Sequence, residues 1–174
     1  MTNKYNTEHE ESIDWDYLYS ILDYDENTGI FTNKVFRGGS ASIGTIAGYL
    51  DNSGYVRVRI KGKLVQAHRL AWFYVHAKWP SELIDHIDGV KNNNSIKNLR
   101  EATESQNKYN STIRKDNTTG YKGVSFDKSK GKFVAYIQIN GKPKRLGCFS
   151  TAEEAGSVYL KEATKLHGEF FNGG

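Results

Sequence analysis

The clearest periodicity along the chain lies in GYVRVRIKGKLVQ, where Val56, Val58 and Ile60 fall on one side of an extended segment and Tyr55, Arg57 and Arg59 on the other. Side chains on a strand alternate between its two faces, so this pattern predicts a half-buried strand, and KGK predicts the turn that returns it as a hairpin. The period then changes. Leu70, Ala71 and Tyr74 share one side of a helix predicted from about Ala67 to His76, which KWP ends. Upstream, Trp15, Leu18, Ile21 and Leu22 recur at helical spacing, with Asp14 as the expected cap and Gly29 as the expected stop.

Beyond Gly120 the pattern is one of short strands. In KFVAYIQI, Phe133, Ala135, Ile137 and Ile139 alternate with Val134, Tyr136 and Gln138, while YKGVSF precedes this run and KPKRLGCF follows it. Asn140 and Gly141 predict a type I′ hairpin turn, which needs positive φ at both positions. STAEEA opens a helix with Ser150 as the expected cap and Glu153 closing a capping box; Ala152, Ala155, Tyr159, Ala163 and Leu166 form its apolar stripe, and Gly168 stops it. This segment is expected to be a three-stranded antiparallel sheet covered on one face by one helix. The polar, aperiodic IRKDNTT marks a boundary. The predicted organisation is α+β: a lead-in over residues 1–54, a domain over 55–112, a linker over 113–119 and a small domain over 120–171.

Composition narrows the function. Hydrophobic residues make up 37% of the 174, mean hydropathy is −0.65, and no stretch approaches the ~20 apolar residues of a membrane span. The N-terminal segment has neither a basic start nor an apolar run, so a cytoplasmic protein without a membrane partner is expected. Cys148 is the lone cysteine, which excludes an internal disulfide and a cysteine-held zinc; any metal would bind oxygen and nitrogen donors. The net charge of +4 is unevenly spread: residues 1–27 carry eight acids against Lys4, whereas residues 113–147 carry nine basic residues against Asp116 and Asp127. Residues 55–69 hold five basic residues and no acid. A basic run of this kind suits a polyanionic partner, and Arg57 and Arg59 are either a solvated face or phosphate contacts.

The candidate chemistry sits in LIDHIDGVKNNNSIKNLREATESQN, residues 83–107. Cutting a phosphodiester needs a base to activate water, a cation to neutralise phosphate charge, and a scaffold that holds both in register. His86 suits the first task, because imidazole is readily neutral at working pH. Asp85 and the side-chain carbonyl of Asn107 are hard oxygen donors suited to Mg²⁺. Neighbours on a strand face opposite ways, so a bend is expected at or just after Asp85 and His86, with Asn98 bracing the loop and a helix bringing in Asn107.

Together, AHRLAW, DHIDGVKNNNSIKNLREAT and the trailing QN resemble the HNH homing-endonuclease family, particularly its phage-type members, and DYDENTGIF and GYVRVRI resemble its lead-in segments. The resemblance covers about residues 14–110. It implies a ββα-metal fold in which His86 is the general base, Asp85 and Asn107 hold one divalent ion (Mg²⁺, with Mn²⁺ as the alternative), and Asn98 orients the loop and the histidine. Asn107 stands where some members of the family have histidine. His68 and Arg69 match the family's HR position, as a structural histidine at a helix start or as phosphate contacts.

The segment over about residues 120–171 is similar to the AP2 DNA-binding domain, whose sheet lies in the major groove. Position by position, that resemblance implies that Lys122, Ser125, Tyr136, Gln138 and Arg145 face DNA. The family's arginines at the Ser125 and Gln138 positions, and its tryptophan at Arg145, are missing here, so its recognition sequence does not transfer. The expected function is a site-specific, metal-dependent DNA endonuclease acting on double-stranded DNA, as a monomer on an asymmetric site. A DNA-binding regulator with an inactive nuclease-like domain and an RNA nuclease are the competing readings.

Overall fold

The computed structural model describes residues 7–139 and 141–173, which fall into two compact units, one running to Glu104 and the other from Ser105. In the first unit, a short helix α1 (Glu8–Glu11) is closed by a reciprocal capping box between Thr7 and Glu10. Helix α2 (Trp15–Ile21) begins where Asp14 accepts the Tyr17 N–H at 3.0 Å, as the sequence predicts.

The helix does not run on to Gly29. From Leu22 the chain is extended, and β1 (Leu22–Asp25) pairs antiparallel with β2 (Ile30–Asn33). Leu22 and Tyr24 point inward and Asp23 and Asp25 outward, a period of two that overrides the helical spacing upstream. Gly29 belongs to the hairpin turn. Its φ is +73°, and a β-carbon there would lie 2.2 Å from the backbone carbonyl carbon of Asn94, so the turn rests directly on a distant loop.

A second sheet orders β3 (Tyr49–Leu50), β4 (Val56–Ile60) and β5 (Lys63–Gln66), with Lys61 and Gly62 at positive φ between the last two. Helix α3 (Ala67–His76) follows at once and buries Leu70 and Ala71 completely. Leu18 and Leu22 meet Val58, Ile60 and Leu70 in one core, each at most 1% exposed. Each such side chain contributes about 1.5–3 kcal/mol by leaving water.

The last hairpin of this unit pairs β6 (Leu83–His86) with β7 (Leu99–Ala102), setting Asp85 opposite Arg100 and His86 opposite Leu99. Between them run a polar loop and a 3₁₀ turn at Ile96–Asn98. Helix α4 (Glu104–Asn110) comes next, and from Ser105 on it groups with the second unit.

In that second unit β8 (Val124–Asp127), β9 (Lys132–Ile139) and β10 (Lys142–Phe149) form an antiparallel sheet in the order β10-β9-β8. Helix α5 (Ala152–His167) packs Ala155 against Val124 and Ala135. Gly123, at φ +65°, lets the chain lie on the Tyr159 ring, which a β-carbon would approach to 2.3 Å. Because α5 starts at Ala152, its cap is Thr151, which accepts from the Glu154 N–H at 3.1 Å, rather than Ser150. Asn140, and with it the predicted turn, lies outside the described residues. Among the described residues no helix is long and apolar enough to cross a membrane.

Candidate active site

Asp85 and His86 are the last two residues of β6, and both are buried, at 4% and 5% exposure. Asp85 meets its cross-strand neighbour: the Arg100 guanidinium donates to Oδ2 at 2.9 Å from Nε and lies 2.8 Å away at Nη2. The strand ends on His86, and the chain turns at once, with the Gly89 N–H returning to the His86 carbonyl at 2.8 Å.

The His86 ring is held by a residue that the sequence did not single out. His86 Nε2 lies 3.1 Å from Oδ1 of Asn94, which is 2% exposed. An amide oxygen only accepts, so this contact places the imidazole proton on Nε2 and leaves the lone pair on Nδ1. Asn94 is itself fixed from the N-terminal hairpin. Tyr24 donates its hydroxyl to the Asn94 carbonyl at 2.7 Å, Gly29 abuts the same peptide, and the Ile96 N–H and Ser95 hydroxyl both donate to the Glu26 carbonyl at 3.1 Å.

Asn98 braces the loop, as expected. Its Oδ1 accepts the Asp88 N–H at 3.0 Å, and its Nδ2 donates to Asp88 Oδ1 at 2.9 Å and to the Asn93 carbonyl at 2.8 Å. Thus Asn98 fixes the loop's path, and the side chain bonded to the histidine ring is Asn94. Within a run of three asparagines nothing local marks which one turns inward; only the distant clamp by Tyr24 and Gly29 does so.

His68, at the start of α3, is brought beside His86 with ring centroids 5.0 Å apart and planes at 82°, and Tyr55 lies 5.5 Å from His68 and 6.1 Å from His86. Burial, followed by the charges of His86, Arg69 and Arg57, pulls the His68 pKa down to about 3, and its Nδ1 is a buried atom without a hydrogen-bond partner. Burial also lowers the His86 pKa, and the Asn94 hydrogen bond and the Asp88 and Asp85 charges only partly oppose it. Both rings are therefore neutral near pH 7, which is the state a proton acceptor needs.

Arg69 has a different place from the predicted phosphate contact. It is buried and donates Nε to Glu10 at 2.8 Å, so its charge is spent inside the fold. Arg57 is half-buried and pairs with Asp51 at 2.9 Å, whereas Arg59 is exposed and donates to the Gly62 carbonyl at 2.7 Å. In the second unit, Asn107 is exposed on α4. Lys122 donates to the Tyr109 carbonyl at 3.3 Å and the Asn172 carbonyl at 2.6 Å, and burial lowers its pKa; its ammonium ties the unit together rather than standing free for DNA. Ser125, Tyr136, Gln138 and Arg145 are all exposed, and the strand register places them together on the sheet face opposite α5.

Among the described residues no group of three or more His, Cys, Asp or Glu side chains is placed to hold a metal ion. Asp85, a buried carboxylate of the first unit, and Asn107, an exposed amide of the second, are each oxygen donors of the kind a hard cation takes, one or two at a time beside its waters.

The family profile described as HNH endonuclease matches residues 65–109, the stretch that holds β6, β7 and most of α4. An uncharacterized HNH endonuclease of Acanthamoeba polyphaga mimivirus is 36% identical over 124 residues, which is 70% of this chain and 63% of that protein. Protein 3.8 of Escherichia phage T7 is 33% identical over 87 residues, 50% of this chain and 71% of that protein. No solved structure matches the chain.

Proposed function

This chain belongs to the HNH endonuclease family, and on that premise we propose that it is a metal-dependent DNA endonuclease of the homing type, with His86 as its general base. The observation that carries this reading is the buried, neutral His86 ring held through Nε2 by Asn94. His86 Nδ1 takes a proton from water as the water oxygen bonds to phosphorus and the bond to the leaving oxygen breaks. Asp85 and Asn107 are the residues to hold one divalent ion, Mg²⁺ or alternatively Mn²⁺. When bound, that ion neutralises charge on the phosphate and the leaving oxygen. Arg100 fixes the Asp85 carboxylate, and the Asn98–Asp88 brace keeps Asn94 on the histidine.

Arg57 and Arg59 take backbone phosphates of double-stranded DNA. The AP2-like face of Ser125, Tyr136, Gln138 and Arg145 reads the target in the major groove, a role supported by their shared exposure on a three-stranded sheet. The protein acts as a monomer on an asymmetric site, cutting one strand per site. A second reading, a DNA-binding regulator with an inactive nuclease fold, draws on the Arg100 pair that already engages Asp85.

Incubating supercoiled plasmid and RNA in parallel with Mg²⁺ or Mn²⁺, with and without chelator, tests the reading. Metal-dependent nicking of DNA supports it. Binding without cutting at any metal concentration favours the regulator, and cutting of RNA alone overturns the substrate assignment.

A further inference from the structure

Opening between β4 and the segment from Val35 to Tyr49 is a groove of about 790 Å³, of which the proposed function uses only the β4 arginines, Arg57 and Arg59. Arg37, Arg57, Arg59 and Lys61 line it and no aspartate or glutamate does, although Arg57 reaches Asp51 outside the lining at 2.9 Å. Arg37 is half-buried. Its guanidinium donates to the Asn33 side-chain carbonyl at 3.2 Å and to the Arg59 backbone carbonyl, so both of these acceptors are neutral. Burial pulls its pKa down, the mark of a cation held without a counter-charge. Lys61 donates to the Ser12 carbonyl at 3.0 Å and Arg59 to the Gly62 carbonyl, again neutral partners.

The same groove carries large apolar side chains with nothing over them: Phe36 is 66% exposed, Ile46 67% and Tyr49 53%. An apolar protein surface laid here would desolvate Arg37, Arg59 and Lys61 without neutralising them. A polyanion with flat apolar surfaces between its charges matches both features. Tyr55, 6.1 Å from the His86 ring, and Arg59 in the groove lie on the same face of the β4 segment, about 13 Å apart at the strand rise.

We propose that this groove extends the DNA contact of the N-terminal unit beyond the β4 arginines, with Arg37 and Lys61 joining Arg59 on backbone phosphates while Phe36 and Ile46 enter the minor groove of duplex DNA beside the cut. This rests on the reading of the chain as acting on DNA. Cations combined with apolar wedges are the means by which proteins enter and bend the minor groove. The contact makes the glycine-rich segment part of target binding.

The test measures binding of labelled duplex DNA by fluorescence anisotropy in chelator, so that no strand is cut, over a series of salt concentrations. Arg37→Gln and Phe36→Ser are compared with the wild type, with thermal melts to establish folding; Phe36 is exposed enough that its replacement leaves the core untouched. Arg37→Gln weakens binding and reduces the steepness of the salt dependence by about 0.9, the value of one phosphate contact. Phe36→Ser weakens binding about three- to tenfold and lessens the bend seen with circularly permuted fragments. Folded variants that bind and bend DNA like the wild type overturn the inference, and if that wild type still cuts DNA the proposed function stands without it. If Phe36→Ser leaves DNA binding unchanged but alters sedimentation of the protein alone, the groove is a contact between copies and the inference is likewise overturned. A wild type that neither binds nor cuts duplex DNA overturns the proposed function together with the inference.

Discussion

Replacing Asn94 by alanine isolates the part of the site that positions the base. The change removes the acceptor 3.1 Å from His86 Nε2 and leaves the clamp on the Asn94 main chain, from Tyr24 and Gly29, in place. His86 is 5% exposed, so its Nε2 proton loses a partner that water cannot easily replace, at a cost of about 1–3 kcal/mol. The ring can also move its proton to Nδ1, the atom that must accept. At roughly 1.4 kcal/mol per factor of ten, single-turnover cleavage at saturating DNA slows about ten- to a hundredfold. Asn94→Asp keeps an acceptor but adds a negative charge that raises the proton affinity of His86. That variant is slow at low pH and regains rate as pH rises, because the base must be neutral to act. The positioning role is refuted if folded Asn94→Ala cleaves within about twofold of the wild type, or if Asn94→Asp is as slow as Asn94→Ala up to a pH of about 9.

His68 makes the fold sensitive to acid: its pKa drops from the usual 6.5 to about 3 on folding, so stability is complete above 6.5 and declines as pH falls toward 3, by about 4–5 kcal/mol at most. Urea unfolding across this range shows that decline, and His68→Gln flattens it. Glu10→Ala leaves the Arg69 guanidinium buried without its carboxylate and lowers stability by about 3–5 kcal/mol, read from the urea midpoint, while Glu8→Ala on the exposed side of α1 does little. Tyr136→Ala combined with Gln138→Ala keeps plasmid nicking but blurs the cut position in a sequencing readout of a mixed-site library, since groove contacts carry selectivity rather than chemistry.

Local patterns made much of this architecture legible. Alternation at Tyr55–Ile60 announced β4, and the change of period at Ala67 announced α3, because each signal is complete within a few residues. The strands and helix of the second unit were readable for the same reason. The β1–β2 hairpin was hidden because Leu18, Ile21 and Leu22 satisfy a helical stripe right up to the point where the chain becomes extended. The partners of the site were hidden by distance along the chain. Glu10 and Arg69 are 59 residues apart, Tyr24 and Asn94 are 70 apart, and no pattern in either segment points to the other. Asp85 and His86 could be named from their chemistry, whereas what neutralises the one and steers the other, Arg100 and Asn94, depends on strand register and loop packing.

The central claim is that His86 is the base of a metal-dependent cut in DNA. The most direct measurement is single-turnover nicking of supercoiled plasmid in Mg²⁺ by the wild type and by His86→Ala, with DNA binding followed in parallel. The wild type is expected to convert plasmid to the open circle only when metal is present, and His86→Ala to bind DNA with nearly unchanged affinity but cut at least about a hundredfold more slowly. A folded His86→Ala protein that nicks at close to the wild-type rate would contradict it.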